Sequence, residues 1–299
     1  MISIFELIKN EAKIVNKKRK ILITGACGVV SSQLIAEMKK NYDVVLTDIK
    51  QPDSSDSIYE GLQLADLVDS NRDNYRHLFE GVDAVIHNAF VGAGTIDVIG
   101  AKFELEFANV QMAYNIYQTA WEENVRRVVM TSSNHAADYY EDLLLDGKLD
   151  FIDSNKQNRA FSYYGWAKDS YEHLGFLFAL GRMNGRSLSN VQIRIGAPRE
   201  TDLDAVEPGD LRKMRRALAV YISQRDLVQL YTKSIETESI DDPHGVPFQS
   251  FYGISGNTHA FWSLVNAREV IGYDPQDNSE YRFAEKIQRH IAAADHPSH

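Results

Sequence analysis

The sequence predicts an α/β fold, a doubly wound parallel sheet with helices on both faces and a smaller C-terminal region. Three observations lead there. Short apolar runs recur at 21–24, 44–47, 84–87, 127–131 and 191–195, the pattern of strands buried on both faces. Helix-length segments separate them, at 31–40, 103–123 and 161–183, as crossover connections require. The 299 residues, 44% of them hydrophobic, suffice for one large domain with an appendage.

In chain order, residues 1–19 read as an N-terminal helical extension. Ile4, Leu7, Ile8 and Val15 fall at amphipathic spacing, and Glu6, Lys9, Glu11 and Lys13 interrupt any signal-peptide core. The cluster Lys17-Lys18-Arg19-Lys20 reads as a solvated connector. Ile21–Thr24 is a strand, Gly25-Ala26-Cys27-Gly28 breaks it, and Ser31–Lys40 is a helix. Val44–Thr47 is the second strand, ending on Asp48. Strand, glycine turn, helix, strand and terminal acid make one βαβ unit of Rossmann type.

Helix is expected around Tyr75–Phe79, then the strand Ala84–His87, the helix Phe103–Glu123 and the strand Arg127–Thr131. The helix Phe161–Met183 and the strand Val191–Ile195 complete a Rossmann domain spanning 20–196. Beyond Gly196 the rhythm loosens. A polar loop at 198–210, a helix at 211–224 and a strand at 249–254 suggest that 197–293 closes over the sheet as a smaller substrate-binding region, its late elements packing back on the first domain. Residues 294–299 read as a frayed tail.

Composition excludes several functions. A net charge of −10 disfavours nucleic acid and anionic membranes as partners. No apolar run approaches the roughly 20 residues that span a bilayer, so a cytoplasmic location is expected. With Cys27 the single cysteine, no intramolecular disulfide can form.

The turn Thr24-Gly25-Ala26-Cys27-Gly28-Val29-Val30-Ser31 follows an apolar strand and opens a helix, which makes it a dinucleotide-phosphate turn. Gly25 permits the tight bend and Gly28 lets backbone amides reach a pyrophosphate at the positive end of the helix. Ser31 stands where a third glycine is usual. Asp48 can accept hydrogen bonds from free ribose hydroxyls and repels a 2′-phosphate, which favours NAD over NADP. Asp66-Leu67 and Asn88-Ala89 fall where later strands should line the adenine and nicotinamide sides.

Two segments add chemistry. Tyr164 and Lys168 lie four apart on one helix face. Oxidising an alcohol requires a proton acceptor at its oxygen, and a tyrosine serves when an ammonium stabilises its phenolate. Thr131-Ser132-Ser133-Asn134-His135 ends a strand, at the sheet edge where such folds bind ligands. Ser133 could hydrogen-bond the reacting oxygen, and Asn134 and His135 other hydroxyls. His135 is equally a capping or core histidine. No metal-ligand spacing occurs and no G-x-S-x-G elbow, so neither a metal site nor a serine hydrolase is expected.

Together the TGACGVVS turn, Asp48, the SSNH segment and YGWAK resemble the extended short-chain dehydrogenase/reductases, the epimerase/dehydratase superfamily, over roughly 20–283. SSNHAADYY, YYGWAKDSYE, VQIRIGAP and RRALAVYISQRDLVQL are similar to segments of uronate dehydrogenases and related aldose dehydrogenases. The resemblance implies Ser133, Tyr164 and Lys168 as the catalytic trio and a cofactor shell of Gly25, Cys27, Gly28, Val29, Val30, Asp48, Asp66, Leu67, Asn88, Ala89, Phe90, Asn109, Tyr164, Lys168 and Ile195. It implies a sugar shell of Val91, Gly92, Ser133, Asn134, His135, Tyr164 and Arg194, with Arg194 on a carboxylate and Asn109 supporting the site. Gly92 stands about where the uronate enzymes place a serine.

The reaction so implied is NAD-dependent oxidation of the anomeric hydroxyl of a sugar or sugar acid, with or without phosphate, to a lactone. A nucleotide-sugar epimerase or dehydratase with tightly held NAD, and a non-catalytic NAD-sensing protein, are the other readings. The basic run Arg212, Lys213, Arg215 and Arg216 is a solvated helix face or a site for a phosphate or sulfonate. A homodimer through the two long helices is also implied.

Overall fold

The computed structural model describes residues 18–295 apart from 53–55, 93, 95–97 and 201. Most of the proposed N-terminal extension and the end of the tail lie outside the described residues.

Seven parallel strands form one sheet: β1 (Lys20–Thr24), β2 (Asp43–Asp48), β3 (Gln63–Leu64), β4 (Ala84–His87), β5 (Arg127–Ser133), β6 (Ser189–Ile195) and β7 (Phe248–Gly253). Their order is β3-β2-β1-β4-β5-β6-β7. The order reverses between β1 and β4, and a ligand crevice is expected beyond the carboxyl ends there. Ile21, Leu22, Ile23, Val85, Val128 and Val129 have no exposed surface. That explains why these strands read as continuous apolar runs instead of alternating ones.

The crossovers are α1 (Val29–Asn41), α2 (Ile99–Glu122) and α4 (Tyr163–Leu180). The boundaries of α4 have local causes. Ser162 caps its start, accepting from the Gly165 amide at 3.1 Å, and Gly181 stops it at φ +65°. Short α3 (Tyr139–Leu145) follows β5. The helix expected at 75–79 is instead a pair of 3₁₀ turns, Arg72–Asn74 and Arg76–Phe79.

The C-terminal part departs from expectation most. The helix expected over 211–224 is α5 (Leu211–Ala219), followed by α6 (Gln224–Glu236). The break occurs because Tyr221 bridges Ala197 in extended form and Ser223 starts a new cap on the Asp226 amide, at 3.2 Å. The late strand β7 joins the sheet beside β6 in parallel. Helices α7 (Val265–Ile271), α8 (Ser279–Arg282) and α9 (Ala284–Asp295) complete the chain. The described part of the basic connector is tethered: Lys18 donates to the carbonyls of Lys39 and Lys40, and Arg19 pairs with Glu236.

Candidate active site

At the end of β1 the chain turns at Gly25 with φ +63°, and the Gly28 amide returns to the Gly25 carbonyl at 3.0 Å. A β-carbon at Gly25 would stand 2.6 Å from the Ala89 backbone, so the turn and the loop after β4 meet where only glycine fits. Helix α1 starts one residue after Gly28, with no side-chain cap and no acid in its first turn. Its positive end is therefore left for an anion. Asp48 Oδ2 accepts from the Cys27 amide at 2.9 Å, which holds the carboxylate beside the turn.

A cavity of about 480 Å³ lies over these ends. It is lined by Gly25, Cys27, Gly28, Val29, Val30, Asp48, Asp66, Leu67, Asn88, Ala89 and Phe90, all anticipated from sequence, and by Val91, Met112 and Arg199. The donors suit a dinucleotide: free amides at a helix N-terminus for phosphates, and a carboxylate at the far end for ribose hydroxyls.

A second cavity of about 360 Å³ adjoins the first, sharing Val29, Val30, Asn88, Phe90 and Arg199, and gathers Ser133, Asn134, His135, Tyr164, Lys168 and Ile195. Ser133 ends β5, and its hydroxyl accepts the His135 amide at 3.2 Å. Gly165 fits directly under the His135 carbonyl, where a β-carbon would collide, so α4 can bring Tyr164 against the Ser133–His135 turn. The Tyr164 ring meets Phe90 and His135 edge-on at 5.4 and 5.7 Å. Burial raises the phenol pKa above 10.0, while the Ser133 hydrogen bond and the Arg199 charge work against that rise.

One turn further, Lys168 is 5% exposed and donates to the Thr131 carbonyl at 3.0 Å. Burial brings its pKa down to about 8. Phe90, Tyr164 and Tyr171 surround the ammonium, with ring centroids 5.2, 5.6 and 4.5 Å away. Asn88 links the two cavities, donating to Ser31 Oγ at 2.9 Å and accepting from Thr131. Ser31 at the third-glycine position is thus fully buried beneath the turn.

Other expected ligands sit elsewhere. Arg194 does not reach the cavity. It is 3% exposed and its guanidinium is taken up by Glu172, at 2.7–2.9 Å for the shortest contacts, with Asn158 and Tyr252. On β6 it alternates away from Ile195, which does line the second cavity. Asn109 lines neither cavity; fully buried, it clasps the Val91 backbone through both amide atoms, at 2.8 and 3.1 Å. Val91 lines the first cavity, not the second, and Gly92 is exposed and lines neither.

Asn134 donates to buried Glu141 at 2.8 Å, and His135 Nδ1 is 3.0 Å from Asp138. Neither contact takes the residue out of the second cavity. Among the described residues no group of three potential ligands could hold a metal.

Sequence reasoning missed Arg199, Asp202 and Arg216, which also line the second cavity. The signal for Arg199 was its position just beyond the end of β6. Arg216 was visible only as part of the basic helix, where Arg212 pairs with Asp142 and Asp146, Lys213 with Asp210, and Arg216 with Glu141 at 2.7 Å, while Arg215 lies over the Phe261 ring at 6.0 Å.

Residues 21–176 match the model of the NAD dependent epimerase/dehydratase family. The chain is 30% identical to a uronate dehydrogenase of Pseudomonas putida, over 93% of this chain and 92% of that one. It is 29% identical to an NAD-dependent glucose-6-phosphate dehydrogenase of Haloferax volcanii, over 88% and 95%. Among solved structures, glucuronic acid dehydrogenase from Chromohalobacter salexigens superposes with a TM-score of 0.70 at 25% identity, covering 91% of this chain and 90% of that one.

Proposed function

The chain belongs to the NAD dependent epimerase/dehydratase family and is an NAD-dependent oxidoreductase, and we propose that it oxidises the anomeric hydroxyl of a sugar or sugar acid to a lactone. One observation carries this reading. Ser133, Tyr164 and Lys168 converge in a cavity that adjoins the dinucleotide groove at the carboxyl end of the sheet.

The division of labour follows from the geometry. Gly25, Gly28 and the start of α1 would hold the pyrophosphate, with Asp48 on the adenosine ribose. NAD, when bound, supplies the two-electron acceptor for the hydrogen leaving carbon. Tyr164, as phenolate, takes the proton from the substrate oxygen, and Ser133 holds that oxygen beside it. The Lys168 ammonium favours the phenolate across the ring face. Asn134, His135 and Arg216 offer donors and acceptors to further hydroxyls.

Phe103 stacks on Trp166 at 5.6 Å and on Phe107 at 6.1 Å. Phe103, Phe107, Tyr163 and Trp166 are all more than a third exposed, an apolar patch shared by α2 and α4 that favours pairing with a second copy. Among the described residues no helix is long and apolar enough to cross a membrane.

A panel of aldoses, uronates and sugar phosphates, followed by NADH absorbance, tests the proposal. NADH formed in step with sugar consumed supports it. Turnover of a nucleotide sugar with no net NADH would replace it with an epimerase.

A further inference from the structure

Among the described residues Arg199 is the only cation that lines both cavities. The backbone just before it is pinned on two sides. The Gly196 amide donates to the Gly253 carbonyl at 2.9 Å, and the Ala197 amide to the Val220 carbonyl at 2.7 Å. The Pro198 carbonyl accepts from Gln33 Nε2 at 2.8 Å, and the same amide group donates to the Val29 carbonyl at 3.3 Å. One side chain of α1 thus ties Pro198 to the first residue of that helix, and Arg199 leaves the backbone beside the helix start. The cavity walls agree, since Val29, Val30, Asn88, Phe90 and Arg199 are the residues common to both. Arg199 therefore stands at the neck where the dinucleotide groove opens into the second cavity.

No carboxylate takes up its charge. Among the described residues Arg199 makes no hydrogen bond and no ion pair, although 42 acids outnumber 32 lysines and arginines in the chain. Its neighbour Glu200 is occupied by Arg282 and Tyr221. Arg216, the other arginine of the second cavity, pairs with Glu141 at 2.7 Å. An unpaired guanidinium at a cavity neck suits an oxyanion, because its planar fork matches phosphate oxygens with parallel hydrogen bonds.

The groove has a use for such a group. A pyrophosphate carries negative charge on each phosphate, whereas the Gly25–Gly28 turn and the start of α1 offer neutral amides and a helix charge of roughly half a unit. Lys50, the other cation of the first cavity, belongs to the ribose end, where its amide donates to Asp48 Oδ1 at 3.3 Å.

We propose that Arg199 is a cofactor-binding residue, which holds the nicotinamide-side phosphate of the dinucleotide with the full charge that the glycine turn lacks. That phosphate is the nearer of the pair to the second cavity, whose wall Arg199 shares. The inference rests on the pyrophosphate's place at the Gly25–Gly28 turn and is independent of the sugar.

Calorimetric titration of the full chain without sugar tests it, with NAD, ADP-ribose and AMP as probes. ADP-ribose keeps both phosphates, and AMP only the adenosine-side one. The Arg199 side chain is exposed, so Arg199→Gln strands no buried group and should fold. It should bind NAD and ADP-ribose about tenfold more weakly, as loss of a charge-assisted pair requires, and AMP as the native protein does. Arg199→Lys keeps the charge without the fork and should fall between. Added salt should weaken NAD binding more in the native protein than in Arg199→Gln, which lacks the screened charge. Glu200→Gln, at a position lining neither cavity, is the control and should bind NAD no more weakly than native.

Equal NAD affinity in Arg199→Gln and the native protein overturns the inference. A rise in KM for acidic or phosphorylated sugars in that variant would then give the guanidinium to the sugar. Equal weakening of AMP and NAD overturns the assignment to the nicotinamide-side phosphate. A native protein that binds NAD yet forms no NADH with any sugar sinks the proposed oxidation and leaves this inference standing.

Discussion

Arg194 and Glu172 form a buried bidentate ion pair across β6 and α4, with Nε to Oε1 at 2.9 Å and Nη2 to Oε2 at 2.7 Å. Ser132, Asn158 and Ser250 bond the same carboxylate. Burial alone would raise the Glu172 pKa, but the Arg194 charge and these hydrogen bonds hold it below 4.5. Arg194→Met strands the carboxylate and should cost about 3–5 kcal/mol of stability by denaturant unfolding. Because the folded pKa is depressed, this stabilisation is present above the usual glutamate range and is lost as pH falls through the folded pKa. Arg194→Met should therefore lose less stability on acidification than the native protein. A variant as stable as native at neutral pH, yet with altered KM for acidic sugars, would return Arg194 to the substrate.

Tyr164→Phe removes one oxygen and keeps the ring against Phe90. NAD affinity should survive while oxidation falls by about 10²–10⁴-fold. Tyr163→Phe is the control: that side chain is 42% exposed and packs on Phe103, 5.5 Å away, so turnover should change little. Near-native turnover in Tyr164→Phe would sink the assigned mechanism.

How much of this was legible differs by region. Strands β1, β4, β5 and β6 declared themselves because burial on both faces demands unbroken apolar runs, and the Gly25 turn because its conformation admits no side chain, whereas the two exposed residues of β3 left no such run. Tyr164 and Lys168 were legible as a one-turn spacing. Arg194 was not, since a strand's alternation decides which side of the sheet a residue serves, and a buried partner such as Glu172 lies 22 residues away in sequence. The boundary after α5 depended on Tyr221 bridging Ala197, a contact no local pattern announces.

Cofactor choice should follow Asp48. Its carboxylate lines the groove beside the Cys27 amide, where it meets a ribose and repels a phosphate on it. Asp48→Ser should narrow the preference for NAD over NADP by about tenfold, equivalent to about 1.4 kcal/mol. Better use of NADP than NAD by the native protein, at equal concentration, would contradict this.

The patch on α2 and α4 predicts association. Phe107, 52% exposed, lies outside both cavities, so Phe107→Asp should weaken a dimer while leaving the monomer folded. Light scattering at micromolar concentration reads this directly. A native monomer there would show that the aromatic patch serves another purpose.

The collision that a β-carbon at Gly25 would make with Ala89 also bears on inheritance and design. The phosphate turn and the loop after β4 are separated in sequence by α1 and strands β2, β3 and β4, yet neither can change its backbone without the other. Grafting a different glycine turn onto this sheet, to recruit another nucleotide, would have to bring the matching Asn88-Ala89 loop with it. The smallest exchangeable module is therefore the pair, and chimeras that swap only one half should fail before cofactor preference can be read at all.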